Sequence, residues 1–383
     1  MRRVLIVQPS LQPPGGGNGV AAWMLQALCQ VHRVTVLSWT PVDVEPINRF
    51  FGTSLRPSHF DRIVLPRTWA TLLDAAPLPL ALVRSALLMR YTRRFSDAFD
   101  VLVGVHNEVD YGRRGIQYIH YPAYLRPRPA VDFRWYHRFA PLTESYYRGA
   151  DALGGFSLAR MKSNLTLTNS HWTAARVRHL LGIDAEVLYP PVTRPRQSVS
   201  WSERRDRFLA IGRISPEKEF ERIIAILSRA REAAPSITLT IVGTWDRKSE
   251  PYYIRLRALA EREGSWIEFR RNLARDELAT LMCQSRYGIH GMREEHFGMA
   301  PAEMVAAGMV VWVPSGGGQT EIVGDETALQ YDSDQAAVDR IVGVLGSRAE
   351  QDRLRAHLAD RALLFGTDRF VVEVRRIVDT FQE

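Results

Sequence analysis

Two carboxylates, Glu295 and Glu303, stand eight residues apart in the stretch YGIHGMREEHFGMAPAEMVAAG. The apolar run ahead of them ends near His290, as a strand would. A loop with Glu294, Glu295, His296, Phe297 and Gly298 then leads into helical spacing. Pro301 suits the first turn of that helix, where a missing N–H costs nothing. A helix start behind a glycine offers unpaired backbone N–H groups to a phosphate or to sugar oxygens. Glu303 lies inside the helix and Glu295 just before it. One carboxylate can accept hydrogen bonds from a ribose diol and the other from a second sugar.

The segment AIGRISPEKEF adds two cations. Its strand ends at Gly212, followed by Arg213 and, five residues on, Lys218. Such a pair at a strand's carboxyl end suits a pyrophosphate, the guanidinium binding two oxygens and the ammonium acting as a point charge. Near the N-terminus PGGGNG, residues 14–19, reads as a glycine loop, so that the backbone at Gly16 and Gly17 can approach a ligand closely. The dinucleotide fingerprint needs an acidic residue at the end of the second strand. Here that strand ends VLSWT, which argues against NAD or FAD. His120 closes the strand-like IQYIHYP; a lone histidine there is open to a structural or a functional reading.

These residues need a scaffold, and the chain supplies an alternation of strands and helices. Strands are expected at residues 2–9, then in RVTVLSW, DVLVGVH, IQYIHYP, NLTLTNS and AEVLYPP. Between the last two, Ser170 can start and Gly182 can end a helix. PPVTRPRQSVSWSERRD has three prolines and no hydrophobic period, and reads as a linker. A second alternation follows: DRFLAIGRI, a helix over about 216–230, TLTIVGT, WIEFRRNL, YGIHGM and VVWVPS, with helical segments between and after them. The expectation is two α/β domains with parallel sheets. The first spans 1–195 and the second 205–365; a helix over 366–383 can pack back on the first. Open α/β sheets bind ligands beyond the carboxyl ends of their strands.

The 383 residues carry 46% apolar and 24% charged side chains, the balance of a folded protein with full cores. The formal charge is +8, which favours anionic ligands, nucleic acid or membrane surfaces without choosing among them. No nucleic-acid motif is present. The two cysteines, Cys29 and Cys283, fall in different halves and do not suggest a disulfide framework. There is no zinc-type Cys/His spacing and no apolar run long enough to span a bilayer. A cytoplasmic location is expected, with peripheral attachment at the inner membrane face as an option. Residues 77–95, PLPLALVRSALLMRYTRRF, motivate that option. They join apolar residues to Arg84, Arg90, Arg93 and Arg94, as a helix lying on an anionic membrane would, or as a packed helix with a solvated arginine face would.

Taken with its surroundings, EHFGMAPAE resembles the E-x7-E signature of the GT4 family of retaining glycosyltransferases. The G-R-x-x-x-x-K segment, the glycine-rich turn, LTNSHWTA, VLYPPV and VPSGGGQTEIV are similar to further landmarks of that family. In VPSGGGQTEIV, Thr320 stands where the family commonly has proline before the glutamate. Residues 40–100 match no landmark. Among GT4 members, QYIHYP, NSHWT, LYPPV and GIHGMREEHFG look closest to the lipid-linked-oligosaccharide α-1,2-mannosyltransferases, which use GDP-mannose.

The resemblance implies a GT-B fold, two Rossmann-like domains facing across a cleft. It implies transfer of a hexose from a GDP- or UDP-linked sugar to a glycan, lipid-linked or small-molecule acceptor, with retention. Arg213 and Lys218 would neutralise the leaving pyrophosphate, together with backbone N–H groups near Gly298 and Met299, so no metal or other cofactor is expected. Glu303 would hold the ribose and Glu295 would orient the sugar beside Phe297. From the first domain His120 would approach the sugar, with Gly16 and Gly17 completing the site. A nucleotide-sugar epimerase of the same architecture and a noncatalytic nucleotide-sugar-binding partner remain as alternatives.

Overall fold

The computed structural model describes residues 1–75, 80–123, 140–244, 247 and 249–382. The chain divides into two compact units. The first joins Met1–Pro191 to Phe370–Glu383, and the second is Val192–Arg369.

The first unit holds a parallel sheet. Its strands are β1 (Arg3–Val7), β2 (Arg33–Ser38), β3 (Asp61–Val64), β4 (Val101–Gly104), β5 (Ile116–Ile119), β6 (Leu165–Thr168) and β7 (Glu186–Val187), in the order β3-β2-β1-β4-β5-β6-β7. Successive side chains of a strand point to opposite faces, and in β1 both faces are buried. Val4 and Ile6 join Val34, Val36, Val101 and Val103 under the helices Gly16–Leu28 and Thr367–Thr380, the latter contributing Phe370, Val374, Ile377 and Val378. Leu5 and Val7 face the other way, onto Leu88 and Met89 of the helix Ala81–Thr92. This double burial explains the continuous apolar runs of the strands.

One expectation needs correction in this unit, and one open alternative is narrowed. The glycine run is not a loop: the helix begins at Gly16 behind Gly15, so Gly16, Gly17 and Gly19 sit in its first turns. Packing is the reason. A Cβ on Gly17 would stand 3.0 Å from His120 Nε2, and one on Gly19 would stand 3.0 Å from the Phe51 ring. The basic segment is a packed helix, and residues 77–79 of it lie outside the described residues. Leu82 and Ala86 pack on Tyr147 and Ala150 of the helix Ala140–Gly154. Arg93 is 3.0 Å from the buried Asp110 carboxylate, Arg90 donates to the Leu153 carbonyl, Arg84 pairs with Asp74, and Arg94 lies over the Tyr91 ring. Its arginines are thus largely engaged within the unit. The helix His171–Leu181 starts and stops where expected: the Ser170 hydroxyl accepts from Thr173 N–H, and Gly182 takes the left-handed conformation.

The second unit holds β8 (Arg205–Ile211), β9 (Thr238–Gly243), β10 (Ile267–Arg271), β11 (Ser285–Ile289), β12 (Val310–Pro314) and β13 (Gln330–Tyr331). Their order is β10-β9-β8-β11-β12-β13, again parallel. The order reverses between β8 and β11, which makes that junction the topological switch point. Phe208, Tyr287 and Trp312 cluster across β8, β11 and β12, with ring centroids 5.0–5.9 Å apart. The stretch read as a linker is partly core. Trp201 is buried edge-on against Tyr287, donates to Gln351 at 3.3 Å and lies under the Arg355 guanidinium. A single tryptophan has no period to betray its burial.

Candidate functional site

The loops leaving β8 and β11 flank the switch point, and they carry the expected cation and carboxylate. After β8 a 3-10 turn, Pro216–Lys218, precedes the helix Phe220–Ala233, so the expected continuous helix from 216 is broken. Glu219 takes φ +50° at the break. The turn is seated on the β11 loop, where a Cβ on Gly291 would stand 2.5 Å from the Lys218 carbonyl and 3.1 Å from that of Glu219. A side chain at 291 would therefore push this turn away.

Seated so, the Lys218 ammonium forms an ion pair with Glu295 Oε2 and lies 3.3 Å from Met292 Sδ. The two charged side chains are 17% and 19% exposed. His290 Nε2 is 3.2 Å from the same carboxylate oxygen, off the line of a hydrogen bond and without any other partner. Burial works against charge on Glu295. The neighbouring His290 and Lys218 outweigh it and hold the carboxyl well below the usual carboxylate range.

The Glu295 backbone is clamped by Gln319, which is fully buried. Its Oε1 accepts from Glu295 N–H at 3.0 Å, and its Nε2 donates to the Met292 and Arg293 carbonyls at 3.1 and 3.0 Å. Gly318 N–H donates to the Glu295 carbonyl at 2.7 Å. The short helix beyond begins at Thr320, whose hydroxyl donates to the Gly317 carbonyl at 2.9 Å. The threonine thus occupies the helix start.

Gly298, at φ +103°, caps the helix Met299–Ala306. The N–H groups of Met299 and Ala300 fall in its first turn, where no intrahelical acceptor exists. Phe297 is buried edge-on against Phe365 at 5.5 Å, so it packs the loop. Glu303 is bound at 2.7 Å by Arg275, from the first turn of the helix Arg275–Cys283. Arg213 is largely exposed and 3.2 Å from Glu217. The fold therefore brings Lys218 and Glu295 into contact, while Arg213 and Glu303 hold separate partners. Arg275, His290 and Gln319 were not singled out as site residues from sequence. Only His290 carried a signal, as the residue ending a strand four places before Glu294.

In the first unit His120, just past β5, donates from Nε2 to the Val105 carbonyl at 2.9 Å, and the Asn107 amide oxygen takes its backbone N–H. Gly17 lies against the ring. His106, just past β4, bonds Val7 O through Nδ1 at 3.2 Å and leaves Nε2 buried and unbonded. Burial pushes the His106 pKa down to about 4. Among the described residues no group of three or more His, Cys, Asp and Glu side chains gathers as metal ligands would, and no helix is long and apolar enough to cross a membrane.

Two units of this kind define the GT-B fold of glycosyltransferases. Anabaena HepE, crystallised with UDP and glucose, aligns over 100% of both chains with a TM-score of 0.68 at 14% identity. Sucrose-phosphate synthase from Thermosynechococcus elongatus aligns over 99% of this chain and 98% of its own, with a TM-score of 0.71 and 14% identity. At such identity these likenesses show the fold alone. Sequence points the same way: residues 192–362, within the second unit, match the glycosyl transferases group 1 model. Curated relatives include the human GDP-Man:Man(3)GlcNAc(2)-PP-Dol alpha-1,2-mannosyltransferase, 27% identical over 227 residues, 54% of this chain and 46% of the relative. The Dictyostelium discoideum enzyme of the same name is 28% identical over 229 residues, 54% of this chain and 44% of its own. The matched regions thus span under half of each relative's length.

Proposed function

We propose that the chain transfers a hexose, mannose foremost, from a nucleotide diphosphate sugar to a glycan or lipid-linked acceptor, with retention. The observation that carries this reading is the contact of Lys218 with Glu295 at the carboxyl ends of β8 and β11, in a unit that matches the group 1 model. Lys218 is to exchange Glu295 for the donor's pyrophosphate, helped by Arg213 and the N–H groups of Met299 and Ala300. Charge grows on that pyrophosphate as the glycosidic bond breaks, so fixed cations there lower the barrier most. Glu295 then orients the hexose, and Glu303 accepts from the ribose. His120, beside Gly17, is assigned to the sugar.

GDP-mannose is favoured as donor because the curated relatives are named for GDP-Man. In this reading the two cations take the place of a metal, and a chelator leaves turnover unchanged. A lipid-linked acceptor brings the protein to a membrane surface, with the exposed Arg90 and Arg94 as contacts. Vesicle binding indifferent to replacing both arginines would discard that contact.

The test is a thermal-shift series with GDP, UDP, ADP and dTDP, each beside its common sugar conjugates. A ligand specific for the folded state raises Tm according to its excess over Kd. A shift with GDP and GDP-mannose supports the reading. No shift with any nucleotide at millimolar concentration would overturn it.

A further inference from the structure

The ion pair between Lys218 and Glu295 poses a problem of charge. Both residues are assigned to the donor, yet in the free protein each is the other's partner. When a pyrophosphate takes Lys218, a carboxylate that is mostly shielded from water loses its cation and gains a dianion nearby. Leaving it uncompensated is costly in such surroundings.

His290 stands ready to compensate. It is 4% exposed, and its Nε2 completes no hydrogen bond. That nitrogen is nevertheless 3.2 Å from Glu295 Oε2, the same oxygen that Lys218 holds. Its backbone is tied at both ends, and burial leaves the ring little room to move. His290 N–H donates to the Trp312 carbonyl at 2.9 Å, and the Tyr331 hydroxyl donates to the His290 carbonyl. Among the described residues, the charged and titratable groups around it include Glu295 from the β11 loop, Lys218 from the turn after β8 and Tyr331 from β13, the last with Arg222 over its ring and Glu219, Arg293 and Asp334 nearby. Glu295 is the anion within reach of a proton-bearing Nε2.

We infer that donor binding hands Glu295 from Lys218 to His290, which takes one proton from solvent and becomes the carboxylate's new cationic partner. The balance is simple. Lys218 keeps its charge and changes anion, His290 gains H⁺, and Glu295 stays ionised. His290 is thus a positioning residue that holds Glu295 toward the hexose only once the pyrophosphate is seated. The inference rests on the proposed donor site.

The experiment is isothermal titration of the full chain with GDP-mannose and with UDP-glucose at pH 7, in buffers of different ionisation enthalpy. Nucleotide sugars are used because their phosphates, both diesters, do not titrate near neutrality. The wild type is expected to take up a substantial fraction of one proton per donor bound. His290→Gln and His290→Asn, with Tm checked, are expected to bind donor without that uptake. Their turnover should fall with little change in KM, and the alkaline-side fall of kcat with pH, where a protonated His290 would be lost, should be altered. Binding without proton uptake in the wild type would overturn the hand-over and leave the donor site standing. Uptake that persists in both variants would place the proton on the carboxylate instead, and would overturn it equally. No binding of either donor would fail the proposed function itself.

Discussion

Glu295→Gln should bind nucleoside diphosphate more tightly than the wild type, although it removes a carboxylate from the proposed site. In the free protein Lys218 is already paired with Glu295, and both side chains are more than four-fifths shielded. A phosphate that recruits the lysine must first break this pair. One charge-assisted bond is exchanged for another, each worth about 1.5–3 kcal/mol, so much of the lysine's attraction for phosphate cancels. The amide keeps the size of the carboxylate and still accepts a weaker bond from Lys218. About 1–2 kcal/mol of the cancelled attraction should be recovered, or roughly 5- to 30-fold in Kd. Titration calorimetry with GDP and UDP measures this directly. Turnover with the nucleotide sugar should fall at the same time, because the hexose loses its carboxylate. Equal or weaker diphosphate binding, in a variant whose Tm is unchanged, would refute the claim that Glu295 competes with the pyrophosphate for Lys218.

Three further outcomes are expected. Lys218→Ala should weaken diphosphate and nucleotide sugar alike, by about tenfold or more, as read by calorimetry; a loss confined to one ligand would remove Lys218 from the pyrophosphate. Gly291→Ala, which places a Cβ 2.5 Å from the Lys218 carbonyl, should displace the 216–219 turn and cost tenfold or more in donor affinity, while Gly149→Ala, which meets nothing within 4 Å, leaves affinity unchanged. His106 is held neutral, its folded pKa near 4 lying below the ordinary histidine value of 6.5. Below pH 6.5 the unfolded chain binds a proton that the folded chain refuses, so stability falls from about pH 6.5 down to pH 4, by about 3 kcal/mol in all. Urea denaturation against pH should show this limb flattened in His106→Phe, and an identical limb in both proteins would refute it.

The strands were legible because parallel sheets bury both faces. VLIV and VLVG are apolar without a break, TLTIVG is interrupted only by the buried Thr240 after its exposed first residue, and the helix after β6 announced itself through Ser170 and Gly182. The edge strands β3 and β13 were not legible; β3 is DRIV, half polar and half exposed. The glycines at 16–19 read as a loop because glycine is scarce in helices, whereas here they admit His120 and Phe51 to the helix surface. The arginines of 77–95 read as a face, yet the partners of Arg90 and Arg93 lie 63 and 17 residues away in sequence. In the candidate site the acidic pair and Lys218 stood out by spacing. Arg275 and Gln319 did not, since each matters through a partner that only folding supplies.

The first unit's core is completed from far down the chain. Phe370, Val374, Ile377, Val378 and Phe381 pack against β1, β2 and β4, and Arg375 donates to the Ala27 carbonyl. Val192–Arg369, by contrast, is one unbroken run. On the ribosome, the segment that covers one face of the first sheet emerges only after the whole of the second unit. Domains commonly mature in the order they are made. This chain should reverse that order: its amino-terminal unit waits, with an apolar face uncovered, while the later one closes. Interrupted synthesis would therefore leave a species prone to aggregate or to be captured by chaperones, even when the second unit is already made.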